Sequence, residues 1–215
     1  MSGLDYGAPF GYFFKDKDWL KKLVVASLLT CTLVGAAPVM GWTLVVARRV
    51  AQGDETPLPP DWDWKTCWRL GGQFAFVNAV WLLPLLLAVI VLYLPLIFIN
   101  RLGTAVLPVV GTTLLCVLVF LLFYSTVYVF LIPSMMIVLT GTGSGWKAVN
   151  PVGLWKTARS RLNGHLMVFL IVGLGLFNVM LILAPLTLFL ALPPMLVYAG
   201  LVTAHFAGQL ARMEA

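Results

Sequence analysis

The sequence predicts an all-α integral membrane fold, and three observations carry that prediction. Of its 215 residues, 61% are hydrophobic and only 10% are charged, against roughly 45–50% and about 25% in ordinary soluble domains. Its mean hydropathy is +0.98. The apolar residues gather into uncharged runs, each long enough for one or more crossings of about 20 residues. Together these exclude a water-soluble globular domain. The formal charge of +6 is the excess of bases that membrane proteins keep on the cytoplasmic side; no nucleic acid partner is expected.

Taken in order, residues 1–22 form an interfacial segment. Phe10, Tyr12, Phe13, Phe14, Trp19 and Leu20 alternate there with Lys15, Lys17, Lys21 and Lys22, a pattern suited to a helix lying at headgroup level. No cleaved signal peptide is read in it. Residues 23–47 are uncharged and interrupted by Gly35-Ala36-Ala37-Pro38, which marks a turn or kink. Residues 48–69 form a polar loop, and 70–139 a helical hairpin that turns at Asn100-Arg101, with Pro84, Pro95, Pro108 and Pro133 as kink points. Residues 140–163 are a second polar connection, with Trp146 and Trp155 as surface anchors. Residues 164–211 carry no charge. At ~1.5 Å per residue they are more than twice as long as the roughly 30 Å hydrocarbon core, so they turn back once, at Ala184-Pro185 in preference to Pro193-Pro194.

Charge sets the topology. If residues 23–47 dip in and return near Gly35–Pro38, thirteen of the fourteen Lys and Arg fall on one face and Arg101 stands alone on the other. A full crossing there gives a poor split. The sequence therefore predicts a re-entrant hairpin plus about four transmembrane helices, with both termini cytoplasmic.

Chemistry is sparse. Cys31, Cys67 and Cys116 lie far apart, without disulfide or zinc spacing. No P-loop, H-E-x-x-H helix or G-x-S-x-G elbow occurs. Gly141, Gly143 and Gly145 read as a loop without a phosphate-binding lysine at the required spacing. His165 and His205 each lie 20 residues from Pro185; a turn there puts both imidazoles at one depth, where they ligate a haem or chlorophyll-type pigment, or else His205 bonds a neighbouring helix and His165 sits in interfacial water. Gly200, Ala204 and Gly208 repeat every four residues, a small-residue stripe for helix packing or partner docking. Gln73, Asn78, Asn100, Asn163, Asn178 and Gln209 read as interhelical glue. The loop residues Arg48, Arg49, Trp62, Trp64, Lys65, Trp68 and Arg69 form an interface anchor, or a groove for a partner or an anionic lipid.

Several segments carry a family resemblance: Phe14-Lys15-Asp16-Lys17-Asp18-Trp19, Gly41-Trp42, Ala47-Arg48-Arg49-Val50, Gly53-Asp54-Glu55, Leu58-Pro59-Pro60-Asp61-Trp62-Asp63 and Ala204-His205-Phe206-Ala207-Gly208-Gln209. In these the chain resembles a family of prokaryotic multi-pass membrane proteins known only as a domain of unknown function. The family pattern prefers a Pro-Glu-Trp-like step where this chain has Pro60-Asp61-Trp62. The resemblance implies a protein of the prokaryotic inner membrane and supplies no catalytic residue. The functional expectation is a non-enzymatic accessory subunit of a larger membrane complex, respiratory or photosynthetic, with bound lipid and other integral membrane subunits as partners. The alternatives are a small transporter or channel for a neutral solute, and a haem or pigment carrier.

Overall fold

The computed structural model describes residues 4–54, 56, 58–59, 61–102, 107–187 and 189–213, and among them there is no strand. The helices are α1 (Ala8–Gly11), followed by a 3-10 turn at Tyr12–Lys15, α2 (Trp19–Thr30), α3 (Leu33–Gln52), α4 (Trp64–Leu102), α5 (Leu107–Thr142), α6 (Gly145–Val149), α7 (Pro151–Ser160), α8 (Leu162–Val168), α9 (Phe177–Leu186) and α10 (Leu192–Arg212). Between α8 and α9, Phe169–Leu176 winds as a π-helix. Three helices are long and apolar enough to cross a membrane: Trp64–Leu94, Leu107–Thr142 and Leu162–Leu186.

The chain divides into two compact units, residues 78–129 and the remainder. The first is the tip of the α4/α5 hairpin, where only Ala88 and Val117 are buried among the described residues. Its helices are tied by polar groups. Tyr124 Oη donates to the Trp81 carbonyl at 2.7 Å and Tyr128 Oη donates to Asn78 Oδ1. Helices apolar all round belong in lipid.

The larger unit is built on α10 and α3. Val168, Val202, Phe206 and Leu210 form a core that Phe10, Ile137 and Tyr198 cover. α3 runs parallel to α10: Thr43 lies beside Gly200, Ala47 and Val50 beside Gly208, and Gly53 beside Arg212. A Cβ at Gly208 would come within 2.5 Å of the Ala47 carbonyl. On its other side α3 meets α4 backbone to backbone, where a Cβ at Gly41 would overlap the Cys67 carbonyl and one at Gly71 the Ala37 carbonyl. Glycine is what permits both approaches.

Four expectations are corrected. The turn in residues 23–47 falls at Cys31–Thr32, not at Gly35–Pro38: Thr32 caps α3 by accepting from Gly35 N–H at 2.9 Å, and Pro38 sits inside the helix. The N-terminal aromatics are not one interfacial helix, because Phe13 is 0% exposed and Tyr12 is fixed to α10 through the Leu201 carbonyl. The last reversal lies between Pro185 and Pro193, after α9 ends at Leu186 and before α10 starts at Leu192, with Phe189 at φ 65° and Pro193 in the first turn of α10. Arg48 and Arg49 stand on α3 and Trp64, Lys65, Trp68 and Arg69 on α4, not in a loop. The side chains of Asn100 and Arg101, and residues Glu55 and Pro60, lie outside the described residues.

Candidate functional site: the polar cleft where α3 and α10 end

α3 stops because Gly53 takes the left-handed conformation, φ 85°, and the Asp54 N–H bonds back to the Arg49 carbonyl at 3.1 Å. Asp54 then accepts from Arg49 Nε at 2.7 Å. At the same level α10 presents His205, Gln209 and Arg212, one turn apart. Gln209 grips the N-terminal segment with both ends of its amide: Oε1 accepts from Asp5 N–H at 3.0 Å, and Nε2 donates to the Asp5 carbonyl at 3.1 Å. The same Nε2 lies 3.1 Å from His205 Nδ1, which fits a ring protonated on Nε2. His205 lies over Tyr12, ring centres 4.6 Å apart.

Asp5, Gly53, Asp54, His205, Gln209 and Arg212 line a cleft of about 260 Å³. Its carboxylates are already engaged. Asp5 Oδ1 accepts from the Gly7 and Ala8 amides at 2.9 and 3.0 Å, and these bonds hold its pKa below the usual 3.8. Arg212 packs against Gly53 and makes no ion pair among the described residues. The arrangement can hold a small polar group and places no free nucleophile beside a free base.

The second histidine is elsewhere, and it is buried against a neighbouring helix rather than standing in interfacial water. His165 is 0% exposed, with Nε2 2.8 Å from Ser134 Oγ on α5 and Nδ1 3.2 Å from the Arg161 carbonyl. The Ser134 hydroxyl, also 0% exposed, has a base beside it and no route for a substrate. His165 and His205 therefore have separate partners. His165 lies 21 residues before the end of α9 at Leu186 and His205 13 residues after the start of α10 at Leu192, so the equal-depth argument does not hold. Among the described residues no group of three His, Cys, Asp or Glu is placed to hold a metal.

The stripe Gly200, Ala204 and Gly208 faces α3 inside the unit, with Ala204 fully buried. The tryptophans separate. Trp62 stacks between Trp42 and Trp64, at 4.8 and 5.6 Å, while Trp64 and Trp68 are 47% and 43% exposed. Two structural residues escaped sequence reasoning. Trp42 is the largest fully buried side chain. Lys22, 8% exposed, bonds Asp16 at 2.6 Å and the Pro59 carbonyl at 3.0 Å, stapling α2 to the N-terminal segment and to the chain after α3. Lys22 looked like one more surface base, and only Asp16 six residues before it hinted at a partner.

The fold defines a helical protein with three helices long and apolar enough to cross a membrane. The chain belongs to DUF4013, a family described as a protein of unknown function, whose pattern matches residues 24–207. No curated protein and no solved structure matches the chain.

Proposed function

We propose that this chain is a non-enzymatic accessory or scaffolding subunit of a larger integral membrane assembly in a prokaryotic cell membrane. The observation that carries this reading is how little the spans bury. In the most apolar window of each, no more than 11% is buried within the chain. A single-chain transporter must enclose a path, so its spans bury inward faces and carry polar groups along them; spans left bare are free for lipid and for other subunits.

In this reading α10 is a fourth crossing and α2–α3 is a re-entrant hairpin whose deep end is Cys31–Thr32. With 12 residues, α2 is about 18 Å long, too short for a core of roughly 30 Å. The N-terminal segment, the end of α3 and the end of α10 meet around Asp5, Gly53 and Arg212. That favours a shared cytoplasmic face holding thirteen of the fourteen bases.

Extraction of native membranes in mild detergent, followed by size separation and mass spectrometry of co-migrating chains, tests the proposal. Co-migration with a defined complex is the expected result. Migration of this chain alone, as a monomer or small homo-oligomer, would overturn it.

A further inference from the structure

A second cleft, about 520 Å³, lies in the larger unit between α4 and the corner joining α5 to α6. Arg69, Gln73 and Phe76 form one wall, and Ser144 and Trp146 are on the other. One apolar span begins on α4 at Trp64 and another ends on α5 at Thr142, so the cleft opens where span ends meet headgroups.

Three of its polar groups are unused. The exposed Arg69 guanidinium has no hydrogen bond or ion pair among the described residues. The Ser144 hydroxyl caps nothing, although it stands at the start of α6. Gln73 Oε1 is closed off from solvent and has no hydrogen-bond partner, a state that costs free energy until a donor arrives. No carboxylate lines the cleft; Asp63, six residues before Arg69, feels the guanidinium's charge but makes no ion pair with it, so the cleft itself presents a cation to an anion. Trp146, 75% exposed, stands edge-on to Phe76 with ring centres 5.1 Å apart, and this pair gives the cleft an apolar side.

We propose that this cleft binds the headgroup of an anionic phospholipid bearing free hydroxyls, of the phosphatidylglycerol type. Arg69 pairs with the phosphate oxygens and Ser144 Oγ donates to them. The Gln73 side chain turns so that its Oε1 reaches the cleft and accepts from a headgroup hydroxyl, while Trp146 and Phe76 lie along the glycerol and the upper acyl chain. A cation, a donor, a buried acceptor and an aromatic wall converge at headgroup depth, and phosphatidylcholine, which has no hydroxyl, leaves Gln73 unmatched.

Native mass spectrometry of the full chain in detergent, offered equimolar phosphatidylglycerol and phosphatidylcholine, reads this directly. The wild type retains phosphatidylglycerol preferentially. Arg69→Gln weakens that retention by about five- to tenfold, and Gln73→Leu reduces it while leaving Arg69 in place. Arg48→Gln, at an exposed arginine of α3 outside the cleft, leaves it unchanged and controls for general charge. Equal retention of both lipids, retention of neither, or full retention by Arg69→Gln would overturn the proposal. Displacement of the lipid by sn-glycerol 3-phosphate at equal concentration would also overturn it, by assigning the cleft to a soluble phosphate.

Discussion

Ser134 and His165 have the atoms of a nucleophile and its base, and their burial gives them a different role. A buried imidazole nitrogen facing a hydroxyl is a matched pair; removing one partner strands the other in a medium that cannot solvate it. Ser134→Ala is therefore expected to cost about 1–3 kcal/mol. Replacing both residues with apolar ones, Ser134→Ala with His165→Leu, should cost less than the sum of the single changes. Unfolding in mixed detergent micelles measures all three variants. Strict additivity would mean that the bond contributes nothing to joining α5 and α8. Lys22 follows the same rule for a charge: it is tolerated out of water because Asp16 and the Pro59 carbonyl both face its ammonium group.

At the scale of elements, glycine decides how close α3 comes to its neighbours. Gly41 and Gly71 bring the α3 and α4 backbones into contact, and Gly208 brings α10 onto the opposite side of α3. Gly41→Ala should force α3 from α4 and destabilise the protein by about 1–3 kcal/mol. The same change at Gly72, where an added Cβ meets nothing within 4 Å, should be nearly neutral; equal losses at both sites in the same unfolding assay would count against close approach as the reason for Gly41. Hydropathy made the helical class and the three long spans legible, because composition and run length alone require them. Turns were harder to read. Gly35 and Pro38 look like punctuation, yet the break lies at Thr32, a cap whose signal is a single side chain bonding three residues ahead. Of the cleft, His205 and Gln209 were singled out, but not their connection to Asp5, which spans 204 residues of sequence and has no periodicity to announce it. Of the second cleft, Arg69 and Trp146 were singled out as anchors and Gln73 as glue, but not their meeting, since Ser144 and Trp146 lie about 75 residues after Arg69.

For the molecule as a whole, polar contacts gather at one end of the larger unit and bare apolar surface covers the spans. The N-terminal segment, the end of α3 and the end of α10 converge there through Asp5, Gln209, Gly53 and Arg212, and Lys22 adds the segment after α3. If these parts share one side of the bilayer, the excess of bases, the re-entrant hairpin and the exposed spans form one account: a cytoplasmic polar base carrying membrane helices free to meet lipid and partner subunits. Two-sided labelling of single cysteines is the most direct test. Lys15→Cys, Lys65→Cys and Lys147→Cys would be placed in turn in a chain whose Cys31, Cys67 and Cys116 have been replaced, then probed with a membrane-impermeant maleimide in intact cells and in inverted vesicles. All three should react only from the cytoplasmic side. Labelling of Lys15→Cys and Lys65→Cys from opposite sides would contradict the account, because residues 23–47 would then be a full crossing.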